Sequence, residues 1–290
     1  MKTRTLRLAS ALLLLVPLHA APRQKSARPA SAQGGAVVFA VQKYESSVNI
    51  EPAFIYRGGA FVKPPAEEPG AASFVREFFR PGRKYRVLSG GGEAGTLTVR
   101  KYLEPGCVGL VAEAAAETQA RLGGRVQALA TDSETIGRAP SSRRAPTDAE
   151  RERAVALARA AYAKNRTPAA LVGGMEVVNL TATDLDRDGT FELIGSFLAG
   201  KAGAPAPDAY TLFLIIEPEG DSFRTAWEWF HHGYEDDFAD RHFVDQVDLD
   251  GDGVGEVVAE GTYYESNDYV VYKRQQGRWR PVYQGGGGGC

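Results

Sequence analysis

Two stretches of the chain, 64 residues apart, gather carboxylates at a spacing suited to a hard cation. They are Asp184-Leu185-Asp186-Arg187-Asp188-Gly189-Thr190-Phe191-Glu192 and Asp248-Leu249-Asp250-Gly251-Asp252-Gly253-Val254-Gly255-Glu256. Each places acids at positions 1, 3, 5 and 9, a glycine at 6, and a backbone carbonyl, of Thr190 or Val254, at 7. Ca2+ takes about six to eight oxygens at roughly 2.3 to 2.6 Å; alternate acids on a tight turn can converge on it while the glycine lets the chain reverse. Without a cation the turn opposes itself, because like charges about 4 Å apart repel by about 1 to 4 kcal/mol near a surface. The spacing predicts two Ca2+ sites.

The elements that must hold these turns read as strands. Residues 175–183, 191–198, 243–247 and 256–264 are short β-prone runs on either side of each acidic stretch. A helix–loop–helix calcium site would instead need a bidentate Glu at position 12, where this chain has Gly195 and Ala259. Further β runs at 210–217, 223–231, 269–274 and 279–283 allot four strands to each repeat.

Acid-rich loops between paired strands, repeated in tandem over residues 175–284, resemble the FG-GAP or VCBS type of repeat, the calcium-loop blade of integrin-like β-propellers. The resemblance implies that Asp184, Asp186, Asp188, the Thr190 carbonyl and Glu192 ligate one ion. It implies the same of Asp248, Asp250, Asp252, the Val254 carbonyl and Glu256 for a second. It also implies blade-like sheets and non-catalytic binding. Two blades cannot close a propeller, which usually takes about four to eight. The repeats are therefore expected as a propeller-like fragment or two packed sheets, covered by a helix, by the first half of the chain or by another subunit.

The rest of the 290 residues supplies that covering material. Residues 2–18 read as a charged then apolar export signal, with cleavage near residue 21, and 22–35 as a leader too poor in large apolar groups to fold. Short β runs from residue 36 to about 112, with one helix at 71–79, predict a small β-rich domain over 36–137. The glycines at 90–95 precede a strand pattern and so read as a hairpin loop rather than a phosphate cradle. An Arg-, Ala-, Pro- and Ser-rich stretch and a helix capped by Thr147 and Glu150 form a connector over 138–170, before the acidic β domain of 171–290. The predicted fold class is mainly β, with two small β domains joined by one helix.

Charge separates the two halves. Residues 22–170 carry 23 Lys and Arg against 14 Asp and Glu, whereas residues 171–290 carry 8 against 22. An acidic repeat half argues against nucleic acid as its ligand, and the opposite charges allow the halves to dock on each other. No stretch after the signal is long and apolar enough to span a membrane. The signal points to a secreted or periplasmic protein, where Cys107 and Cys290, the only cysteines, are permitted to pair. A free terminal thiol and an intermolecular bridge stay open beside that pairing.

Other clusters have plainer readings. His231, His232, Glu235, Asp236, Asp237, Asp240 and His242 could hold zinc, yet lack a recognised spacing and read as an acidic connection. Trp227, Trp229 and Phe230 alternate faces on one strand, so part of this aromatic set belongs to the core. No nucleophile, dinucleotide or nucleotide signature occurs. The expected role is binding of a protein or glycan ligand, or envelope scaffolding, with Ca2+ structural. The competing reading is a carbohydrate-directed secreted hydrolase whose carboxylate pair has no fixed spacing, with Glu260 and Glu265 as possible members.

Overall fold

The structure, a computed structural model, describes residues 35–104, 109–200 and 209–290. The expected export signal, all of the leader except Gly35, and Cys107 lie outside the described residues. Cys290 is disulfide-bonded. The described residues belong to one compact unit, and the fold is mainly β, as the strand patterning predicts.

In the first half, β1 (Ala36–Tyr44), β2 (Ser47–Arg57), β3 (Ala60–Val62), β4 (Lys84–Ser89), β5 (Gly92–Leu103), β6 (Val111–Thr118) and β7 (Ala128–Thr131) form an antiparallel sheet ordered β1-β7-β4-β5-β6-β2-β3. Because β2 also pairs along β1, the sheet closes on itself as a barrel. Alternation along β1 explains why it reads as continuously apolar. Val37, Phe39 and Val41 point inward to meet Tyr85, Val87 and Leu97, while Ala36, Val38 and Ala40 point outward. Helix α1 (Gly70–Phe78) contributes Phe74 to the inner cluster, and Phe79 just beyond it joins the same contacts around Phe39.

The second half is two meanders. After β8 (Arg143–Arg144), α2 (Asp148–Lys164) and α3 (Ala169–Gly173) come β9 (Glu176–Thr183), β10 (Glu192–Gly200), β11 (Ala209–Glu219) and β12 (Ser222–Gly233), forming with β8 a five-stranded sheet. Then β13 (Ala239–Val247), β14 (Glu256–Tyr263), β15 (Asn267–Gln275) and β16 (Arg278–Gly285) form a four-stranded sheet in sequence order.

Three apolar interfaces stack these parts. The alanine face of α2, Ala154, Ala158 and Ala161 with Tyr162, covers Leu193, Phe197, Leu212 and Leu214 of the five-stranded sheet. The other face of that sheet, Ile194, Phe213 and Ile215, packs on Phe243, Val257, Ala259 and Tyr272 of the four-stranded sheet. The far face of the latter, Val244, Val258, Tyr269 and Val271, meets Val38, Ala40, Phe54 and Leu129 on the outside of the barrel. Each inner strand is thus buried on both faces, which is why β11 and β14 carry apolar residues at consecutive positions.

The two halves of unlike charge do dock, chiefly through this apolar contact. Among the described ion pairs, Arg143–Asp245 at 3.7 Å links the connector to the four-stranded sheet. The segment read as a connector is strapped down. Arg143 and Arg144 pair with Thr183 and Ala182 of β9, and Arg143 donates to the carbonyls of Gln127 and Val244. The capping box of α2 forms as its sequence dictates, Thr147 Oγ1 accepting from Glu150 N while Glu150 accepts from Thr147 N. The glycine-rich turn is the β4–β5 hairpin, where Gly90 and Gly91 adopt φ of 63° and 73°. Among the described residues no helix is long and apolar enough to cross a membrane.

Candidate metal centre

Both acidic stretches are strand–loop–strand turns. The first runs from the end of β9 to Glu192, the first residue of β10; the second runs from the end of β13 to Glu256, the first residue of β14. Three hydrogen bonds recur at equivalent positions in both. Leu185 N and Leu249 N each donate to the Glu at position 9, both at 2.8 Å. Gly189 N and Gly253 N each donate to the Asp at position 1, both at 3.1 Å. Thr190 N and Val254 N each donate to the Asp at position 5, at 2.7 and 2.9 Å. Position 2 is a buried leucine in each, anchoring the turn on the core. The two turns also touch, Gly255 N donating to Leu185 O at 2.7 Å.

This geometry brings Asp184, Asp186 and Glu192 together, with one carboxylate oxygen from each within 4.8 Å of the others, and does the same for Asp248, Asp250 and Glu256. Asp188 and Asp252 stand outside these triads and close the following turn instead, Asp188 also accepting from Thr190 Oγ1. Thr190 and Val254, whose carbonyls the repeat resemblance would add, sit in that same turn.

Glu192 and Glu256 are almost fully buried. Burial pushes the Glu192 carboxyl up to about 7, with Asp186 and Asp184 adding to the shift and the Leu185 N–H opposing it. Asp184 Oδ1 and Asp186 Oδ1 are shielded from solvent and have no hydrogen-bond partner. Buried carboxylate oxygens left in that state are costly. The donor set is all oxygen, which suits a hard divalent ion.

The two triads differ in what neutralises them. In the first, Arg274 of β15 reaches Asp186 at 3.1 Å. In the second, the Lys273 ammonium sits among three acids, bonding Asp250 and Asp252 at 2.9 Å each and Glu256 more closely still. Burial by itself would lower the Lys273 pKa, but the hydrogen bonds and charges of Glu256, Asp250 and Asp252 reverse this and raise it. Sequence reasoning missed Lys273 because nothing local marks it. Its signal is register: Val257 pairs with Tyr272, so the next pair outward faces Glu256 with Lys273. The matching position in the first repeat, beyond Leu193 and Ile216, is Glu217.

The turns also contain backbone that only glycine enters freely. Gly189 and Gly253 have φ of 91° and 89°, and a Cβ at either would meet nothing within 4 Å. The cost of a side chain there is conformational alone. Gly189→Ala is therefore expected to lower unfolding stability by about 1 to 2 kcal/mol, measured by chemical denaturation in excess Ca2+.

The remaining candidates disperse. His231 stacks on Trp229 and bonds the Asp237 carbonyl, His232 stacks on Tyr210, and His242 pairs with Asp240 at 2.7 Å. Only the two acidic triads gather as possible metal-holding groups among the described residues. Trp227 and Trp229 lie toward the contact between the sheets and Phe230 toward α2, as alternation requires. Glu265 is exposed in the β14–β15 turn, whereas Glu260 lies in a polar cavity. No family model, curated protein or solved structure matches the chain.

Proposed function

We propose that this chain is an exported, non-catalytic binding or scaffolding protein in which Ca2+, held by the Asp184–Glu192 and Asp248–Glu256 turns, has a structural role. The observation that carries the metal reading is the pair of convergent triads, with Asp184 Oδ1 and Asp186 Oδ1 buried and unpartnered in the first. An ion there would satisfy both atoms, relieve the repulsion among the acids and fasten β9 to β10 at the end where the two turns meet. Ca2+ enters the second triad against Lys273, so the first turn is the tighter site. The likeness of the turns to FG-GAP or VCBS loops, together with two four-strand meanders, supports the same reading. The apolar first residues support export.

The test is thermal melting of the mature chain with Ca2+ and with chelator, alongside metal analysis. For a dissociation constant of about 0.1 mM and roughly 1 mM Ca2+, one site adds about 1.4 kcal/mol. That corresponds to a rise in Tm of about 3 to 6 °C for a chain of this size. Asp186→Ala should remove most of that increment without preventing folding. Identical melting with and without chelator would refute the metal reading.

A further inference from the structure

We propose that a polar cavity between the barrel and the four-stranded sheet is a binding site for a neutral glycan, read out by amide, carboxylate and guanidinium groups. The cavity holds about 510 Å³, within the roughly 300 to 1,000 Å³ usual for small-molecule sites. Its walls come from β1, β2 and the start of β6 on the barrel side, the segment before β7, and β13, β14 and β15 on the sheet side. Docking of the two halves is what creates it, so neither half contains the site alone.

The lining is chemically unusual for a junction between two apolar packed faces. Glu51 and Glu260 share the Asn267 amide, which donates to them at 2.7 and 3.3 Å. Glu260 also accepts from the side-chain amides of Gln42 and Gln127, and Glu51 from Tyr269 Oη. Both carboxylates are therefore held in place, each by more than one donor. Burial raises the Glu51 pKa, opposed by the hydrogen bonds of Tyr269 and Asn267, with the nearby charge of Glu260 adding a smaller upward push.

Several polar atoms around the cavity have no partner. Asn49 Oδ1 and Gln127 Oε1 are acceptors shielded from solvent without a donor. His242 is only 8% exposed, lines the cavity and has an unpartnered Nδ1. Buried polar groups in this state are uncommon, and an ordered water or a ligand that supplies hydrogen bonds would relieve them. The ligand must donate to the amide oxygens and can accept from Arg125, which also lines the cavity.

A hydroxyl does both, and a sugar carries several of them. A cationic amine could only donate. It would meet the positive charge of Arg125 and a Glu260 already engaged by three amides. Tyr44, 60% exposed, stands at the cavity with a ring on which an apolar sugar face could rest.

This inference rests on the binding role proposed above but not on its metal. No described hydrogen bond joins Glu51 or Glu260 to either acidic triad. The experiment is calorimetric and ligand-observed NMR titration of the mature chain with short cello-, xylo-, malto- and chito-oligosaccharides, with spermidine as the amine control. At least one oligosaccharide series is expected to bind saturably, with little dependence on salt. Tyr44→Ala and Asn49→Ala should weaken it tenfold or more. Tyr44→Ala should leave the melting temperature unchanged, because its side chain is exposed.

Failure of every oligosaccharide, binding of spermidine alone, or sugar binding untouched by both variants would overturn the proposal. Repeating the titration in chelator separates the two readings. Sugar binding that persists while Ca2+ has no effect on melting sinks the metal reading alone. Ca2+-dependent melting without sugar binding sinks this one alone.

Discussion

Calcium titration of Lys273→Met is expected to reveal a second binding event that the wild-type chain shows only weakly. In the native chain the Lys273 ammonium bonds Asp250, Asp252 and Glu256 together, so an incoming ion must displace a cation already seated among its ligands. The first turn faces a milder competitor, because Arg274 bonds only Asp186 of its triad. Removing the ammonium takes away the counter-charge that these three acids share. Each 1.4 kcal/mol of competition removed is worth about tenfold in affinity, and loss of this pairing should tighten the second site by tenfold or more. Without Ca2+ the variant should melt below the wild type, because the acids then repel one another. In saturating Ca2+ most of that deficit should be recovered. Superimposable titrations for the two proteins would show that Lys273 does not guard the second triad.

Asp245→Ala should be the most destabilising single change near the site, costing about 3 to 5 kcal/mol. Asp245 is fully buried on β13 and accepts from Gly90 N at 2.9 and 3.0 Å through its two oxygens, and from Gln246 N. Its truncation orphans those donors and leaves the Arg143 guanidinium, 3.7 Å away, without its counter-charge. It also undoes the attachment of the β4–β5 turn to the four-stranded sheet. No larger residue can replace Gly91 there without displacing Gln246, whose side-chain atoms would lie 2.8 to 2.9 Å from an added Cβ.

The same residue gives a pH signature. Burial pushes the Asp245 carboxyl up to about 6, against the pull of Arg143 and the Gln246 and Gly90 N–H groups. A carboxyl whose folded pKa exceeds its unfolded value near 3.8 binds its proton more tightly when folded. Its contribution to stability is therefore complete below about 3.8 and is lost as pH rises through about 6. Asp245→Asn keeps the shape without the titration. Denaturation of both proteins from pH 4 to 7 should show the wild type losing stability relative to Asp245→Asn across that window. A constant difference would contradict the assignment.

Local pattern was enough for the longer elements and for the acids. The helix at 148–164 was legible because Thr147 and Glu150 reciprocate within one turn, and the turns at 184 and 248 because their acids, glycines and flanking β runs are contiguous. The short β7 and β8 strands and α3 were not legible. Four apolar or small residues at 128–131, or two arginines at 143–144, become strands only when a neighbour supplies the ladder. Convergence was also only partly legible. The spacing nominated four acids per turn, and three of each come together, because the position-5 Asp turns back to hold the next N–H.

Side-chain identities along the chain thus sufficed for strand–loop–strand turns rich in oxygen donors, since every group involved lies within nine residues and backbone geometry links them directly. Folding in three dimensions alone settled the rest. Lys273 reaches the second triad from another strand, Glu51 meets Glu260 across more than two hundred residues, and a barrel packs on the second sheet to enclose a polar cavity. Those meetings depend on strand register and on which apolar face covers which, and both are set by the collective burial of side chains distant in sequence.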